Sequence, residues 1–161
     1  MSLDRDSLEQ IYRVHGHAVL RRARQILGDE QEAKEILQEV FLGLLDRPEQ
    51  FKRDSSITTF LYSVTTHMCL NRLRNARNRS RLLDQAGAST GPSSQPARAE
   101  ALVVLHQLLS GLPQEEAAVA VYYYLDGMTH AEIAALQGCS PRQVGYLLER
   151  MHARFAPVVT A

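Results

Sequence analysis

The chain has 161 residues, 45% apolar and 22% charged, and its 18 basic and 18 acidic side chains cancel to a formal charge of zero. That composition suits a folded protein with room for one domain or two small ones. No apolar run reaches the roughly 20 residues of a membrane helix, and the opening MSLDRDSLEQ lacks a basic-then-apolar leader pattern, so a cytoplasmic protein without membrane insertion is expected.

Cys69 and Cys139 stand far apart with no CxxC spacing, and the six histidines form no HExxH. A disulfide framework or a cysteine-based zinc site is therefore not expected. His15 and His17, two residues apart, point to different sides of a helix and make a poor ligand pair. Nor does a phosphate loop or a nucleophile–base arrangement occur, so no enzyme, catalytic residue, metal or cofactor is expected. Strand signals are nearly absent. The fold class is all-α: two small helical domains, 1–83 and 101–161, joined by a flexible linker.

In chain order, Leu8, Ile11, Tyr12, His15, Val19, Ala23 and Ile26 trace one helical face, which Gly28-Asp29 ends. Ala33, Ile36, Leu37, Val40, Phe41, Leu44 and Leu45 then form a wide apolar stripe on a second helix. Its other side carries Glu32, Glu35, Gln38, Glu39 and Asp46, and Pro48 follows its end.

After the loop FKRDSSI (51–57) the charge changes sign. Residues 1–50 hold 7 basic and 10 acidic side chains, 51–83 hold 7 and 1, and 84–161 hold 4 and 7. A basic middle between acidic flanks implies separate binding surfaces of opposite sign. The stretch LYSVTTHMCLNRLRNARNRSR (61–81) has five arginines and no acid. On a helix, Phe60, His67, Asn71, Arg74 and Asn78 share one narrow arc, while Leu61, Val64, Met68 and Ala76 can face a core. Arginine neutralises phosphate and reads base edges, asparagine pairs with adenine, and aromatics stack on unpaired bases, so this helix is expected to meet nucleic acid.

Residues 84–100, DQAGASTGPSSQPARAE, are rich in Gly, Ser and Pro and read as the linker. Residues 101–112 and 114–126 read as two supporting helices, with Tyr122-Tyr123-Tyr124 divided between core and surface. Two helix starts follow. Thr129-x-x-Glu132 and Ser140-Pro141-Arg142-Gln143 are capping boxes, and Gly138 suits the left-handed turn between them. That is the helix-turn-helix pattern. Its second helix is expected to bury Val144, Leu147, Leu148, Met151 and Phe155, and to expose Arg142, Gln143, Tyr146, Glu149 and Arg150 for the major groove.

An acidic amphipathic helix, a basic helix and a C-terminal helix-turn-helix, in that order, resemble the sigma-70 family of bacterial initiation factors in its smallest, extracytoplasmic function (ECF) form. EAKEILQEVFLGLL resembles region 2.2, SITTFLYSVTTHMCLNRLRNARNR regions 2.3 and 2.4, and residues 109–155 region 4. The resemblance implies a factor that binds core RNA polymerase, recognises −10 and −35 promoter elements and opens the −10 duplex. It implies that Glu35, Gln38 and Glu39 dock on the β′ clamp. It also implies that Phe60, His67 and Asn71, with the 51–57 loop, engage the −10 element, and that Arg72, Arg74, Arg77 and Arg79 hold phosphates. Arg142, Gln143, Tyr146 and Arg150 would face the −35 element. Promoter DNA, core polymerase and an anti-sigma factor are the implied partners.

Departures from the family pattern are Phe60 for a common Trp, Glu35 for an Asp, His67 and Asn71 for Asn and Asp, and Arg142-Gln143-Val144-Gly145 for Gly-Thr-Val-basic. The alternative is a stand-alone helix-turn-helix regulator that ignores polymerase and gives the Glu35/Gln38/Glu39 face no task.

Overall fold

The computed structural model describes residues 4–51, 56–84 and 96–159. Seven α-helices and no strand occur among the described residues, and the chain divides into two compact units, Met1–Leu73 and Arg74–Ala161. The expected division at 83/84 therefore lies ten residues beyond the observed one, and Pro96–Glu100 of the expected linker are helical. Residues 85–95 of that linker lie outside the described residues.

In the first unit α1 (Arg5–Leu27) starts at Asp4, whose carboxylate accepts from the Ser7 N–H, and ends at Gly28 with φ 69°. A left-handed residue here is nearly free of cost only for glycine. One residue on, Asp29 caps α2 (Glu30–Asp46) by accepting from the Glu32 N–H. This short turn makes α1 and α2 antiparallel neighbours. Val19, Ala23, Ile26 and Leu27 of α1 are buried, as are Ala33, Ile36, Leu37, Val40, Phe41 and Leu44 of α2. Tyr12 meets Phe41 edge to face at 5.0 Å. Leu45 was expected on the apolar stripe but is exposed, together with Leu42.

A 3-10 turn, Pro48–Gln50, leads towards α3 (Ile57–Asp84). The buried residues of α3 within the first unit are Leu61, Thr65, Thr66, Cys69, Leu70 and Leu73. Val64, Met68 and Ala76, expected to face the core, are only half-buried. Two threonines are admitted to this core because each hydroxyl donates back along the helix, Thr65 to the Leu61 carbonyl at 2.6 Å and Thr66 to that of Tyr62 at 2.8 Å. Thr66 also accepts from the buried Arg22 of α1, through Nε at 3.2 Å and Nη2 at 3.1 Å, and the Arg22 guanidinium stacks 4.2 Å from the Tyr62 ring centroid.

In the second unit α4 (Pro96–Ser110) and α5 (Gln114–Ala120) precede a π-helical turn, Val121–Leu125. The expected helix over 114–126 thus runs without a break to Leu125, with a π-helical last turn. The Asp126 N–H reaches the Val121 carbonyl at 3.2 Å, five residues back. This turn divides the tyrosines as expected: Tyr122 is fully buried, and Tyr123 and Tyr124 are exposed. The chain then enters α6 (His130–Gln137) and α7 (Pro141–Val159).

Candidate functional site

The helix-turn-helix is built by local hydrogen bonds. The Thr129 hydroxyl accepts from the Glu132 N–H at 3.1 Å and the Glu132 carboxylate accepts from the Thr129 N–H at 3.3 Å, closing the box at the start of α6. Gly138 ends α6 with φ 69°, and two residues later the Ser140 hydroxyl accepts from the Gln143 N–H at 3.1 Å. Ile133 and Ala134 of α6 pack with Val144, Leu147, Leu148 and Met151 of α7 as a buried set. Arg142, Gln143, Tyr146, Glu149 and Arg150 are all exposed, and the first four line an open depression with Gly145. The five residues expected at the surface of the second helix are therefore there. Arg150 is also engaged: its guanidinium lies 5.7 Å from the Tyr146 ring centroid and 3.7 Å from a carboxylate oxygen of Glu116.

On α3 the arc of Phe60, His67 and Asn71 lies opposite the buried line of Leu61, Thr65, Cys69 and Leu73, as a 100° step requires. Asn71 is exposed, whereas Phe60 and His67 are half-buried. Phe51 meets Phe60 edge to face with centroids 5.4 Å apart, so a pair of aromatic rings stands where one was expected. Within the 51–57 loop, residues 52–55 lie outside the described residues. Burial depresses the His67 pKa below its ordinary value, because losing water penalises the imidazolium. At neutral pH this residue therefore offers the arc a neutral ring.

Arg72 departs from the expected open phosphate contact. It sits about 100° around α3 from Asn71, on the side facing α2, and its side chain is only 18% exposed. Nη1 donates to Glu35 in a very short bond and Nη2 donates to Glu39 at 2.6 Å. Partial burial works against the charge of Arg72, but the hydrogen bond to Glu35 and the charges of Glu39, Glu35 and Glu32 outweigh it and raise its pKa. Two of the three residues expected to dock on polymerase thus share one internal cation. Glu35, Gln38 and Glu39 all remain at the surface.

The other arginines differ among themselves. Within the second unit Arg74 donates through Nη2 to the Leu112 carbonyl at 3.1 Å. A Cβ on Gly111 would stand 2.7 Å from an Arg77 guanidinium nitrogen, which could swing aside, and 3.2 Å from the Gln107 carbonyl oxygen. Arg79 is exposed. Sequence reasoning included Phe51 in the 51–57 loop without singling it out, and it missed Arg22 and Glu116. The paired aromatics at 51 and 60 were the available signal for Phe51. For Arg22 the signal was its helical spacing, three residues after Val19 and four before Ile26, and for Glu116 its place directly before the apolar run 117–121. No helix among the described residues is long and apolar enough to cross a membrane, and no cluster of metal-ligating side chains occurs among them.

An all-helical chain whose second unit ends in a capped helix-turn-helix with a polar outer face belongs to the class of nucleic-acid-binding proteins built on that motif. Residues 11–79 match the family model of sigma-70 region 2, and residues 102–151 that of sigma-70 region 4. The ECF RNA polymerase sigma factor SigM of Mycobacterium tuberculosis is 25% identical over 160 residues, covering 95% of this chain and 77% of that protein. The RNA polymerase sigma factor YlaC of Bacillus subtilis is 26% identical over 152 residues, covering 91% and 88%. The chain is a member of the sigma-70 family of RNA polymerase sigma factors, in its ECF group. The same fold occurs in CnrH bound to the cytosolic domain of CnrY (TM-score 0.54, 21% identity, 98% of this chain and 90% of that one). It occurs also in RpoE of Bartonella quintana, in complex with the anti-sigma factor NepR (TM-score 0.52, 15% identity, 95% and 96%).

Proposed function

We propose that this chain gives core RNA polymerase its promoter choice. The exposed side of α2, with Glu35, Gln38 and Glu39, docks on the β′ clamp. The α3 arc of Phe60, His67 and Asn71 engages the −10 element and opens it. Arg74, Arg77 and Arg79 supply phosphate contacts, and Arg142, Gln143, Tyr146 and Arg150 face the −35 element. The observation that carries this assignment is the placement of the α3 arc directly opposite the buried line of the same helix, with Asn71 exposed. An extruded base would meet the Phe51–Phe60 rings and the neutral His67. Its unstacking costs a few kcal/mol, which stacking and edge hydrogen bonds offset. An anti-sigma factor is the expected antagonist, as NepR is for its partner in the structure of similar fold.

A stand-alone regulator is favoured by one observation: Arg72 already occupies Glu35 and Glu39, so the acidic face has a task without polymerase. The two are separated by titrating purified chain against bacterial core polymerase, with Glu35→Ala/Gln38→Ala as control. A sigma factor binds tightly, loses binding in the control, and loses promoter melting but not polymerase binding in Asn71→Ala. A folded chain that binds DNA alone and never core polymerase is the regulator.

A further inference from the structure

Residues 84–161 carry 4 basic and 7 acidic side chains, yet three of those basic residues are arginines on the recognition helix, and two of them lead to one buried carboxylate. Glu116 of α5 is only 3% exposed. Its Oε1 lies 3.7 Å from Nη2 of Arg150, and its Oε2 lies 3.7 Å from Nη2 of Arg154. Oε2 makes no hydrogen bond among the described residues. The two arginines keep 49% and 41% of their side chains exposed. Arg142, Tyr146, Arg150 and Arg154 recur every four residues, a row that winds about 40° around α7 at each step and so carries Arg154 about 120° from Arg142. Its N-terminal end is where base edges are read, and its C-terminal end is where such a helix leaves the groove and meets phosphate.

We infer that Glu116 is a positioning residue for promoter binding: it holds Arg150 and Arg154 as a preset pair of phosphate contacts. A buried carboxylate is weakly screened, so it attracts both guanidiniums strongly. At 3.7 Å the attraction acts without a hydrogen bond that docking would have to break. Each guanidinium retains N–H groups for a phosphate, and holding it beforehand removes part of the rotamer entropy that docking would otherwise cost. The same negative charge weakens the pull of both arginines on phosphates met in any other register. Glu116 thereby favours the docked geometry over indiscriminate binding, and Arg154 joins the DNA-contacting residues. This rests on α7 being the −35 helix.

The test uses full-length chain reconstituted with core polymerase and two duplex probes, one enriched by that holoenzyme from a random pool and one of random sequence. Glu116→Gln keeps the shape and removes the charge. Binding to the random duplex should tighten about 3-fold, and the ratio of enriched to random affinity should fall about 5-fold. A purely structural role would weaken both probes in parallel and leave the ratio unchanged, which overturns the inference. Arg154→Gln provides the second variant: it should lower the slope of log affinity against log salt by about 0.9, one phosphate's worth. An unchanged slope rejects the clamp even if Glu116→Gln does not fold. Arg142→Ala is the control for the underlying assignment. If it leaves the ratio untouched, α7 does not read the −35 element; if it lowers the ratio while Glu116→Gln does not, only the role of Glu116 fails.

Discussion

His67 shows how a single position can be polar without being charged. It lies on the reading arc of α3, half-buried, and its pKa is lowered by that burial. As pH falls below the ordinary histidine value, the unfolded chain takes up a proton that the folded chain declines. Stability is therefore complete above that value and declines as pH falls towards the depressed one. In a histidine-resolved NMR titration, the His67 midpoint should lie below the ordinary histidine value, and a midpoint at or above that value would remove the neutral-ring assignment. Cys69 shows burial acting in the opposite sense. It is fully buried, and desolvation pushes its thiol up to about 12. At neutral pH this cysteine is a protonated filler of the core, as its lack of a nearby cysteine partner in the sequence suggested.

At the scale of elements, periodicity and capping were sufficient for most of the fold. The apolar steps of α2, the Gly28 stop and the Thr129 box all concern residues within a turn of one another, and the sequence displays them directly. What it hid depends on neighbours distant in the chain. Thr65 and Thr66 are polar by type, but they are core residues because their hydroxyls bond within α3 and because Arg22 arrives from α1. Leu45 fits the α2 stripe by spacing, yet more than half of it is exposed. The π turn at Val121–Leu125 leaves no mark in hydrophobic spacing. In the candidate site, the exposed face of α7 was legible from one helix alone, whereas the engagement of Arg72 and of Arg150 required knowing which carboxylate faces each. Gly145 marks a place where α7 can be improved. A Cβ there would meet His130 at 3.7 Å, an ordinary contact, so Gly145→Ala should stabilise the protein by about 0.5–1 kcal/mol. Chemical denaturation would check this, and a destabilised variant would mean that the approach of α6 to α7 is tighter than the contact distance indicates.

For the whole molecule, zero net charge conceals opposed surfaces, and within the first unit two of them are joined by one side chain. Arg72 is in the basic stretch by sequence, but by structure it belongs to the acidic face of α2. If polymerase docks through Glu35 and Glu39, its cations must compete with Arg72 for the same oxygens, since a carboxylate oxygen has few lone-pair directions. The carboxylates are about half exposed, so the internal pair contributes little to stability, at most about 1 kcal/mol. Arg72→Ala should therefore leave the fold intact and lower its stability only slightly. It should tighten core polymerase binding by a few fold at low salt, and that gain should shrink as salt screens the exposed carboxylates. Titrations at two ionic strengths would measure it. Weaker binding would instead make Arg72 a support that holds the two glutamates in their docking geometry. An unchanged constant at both ionic strengths would show that Glu35 and Glu39 serve the fold and that polymerase docks elsewhere. Because each outcome assigns the acidic face to a different owner, this one arginine decides whether the charge separation along the chain is a division of labour between binding surfaces or a feature of internal packing.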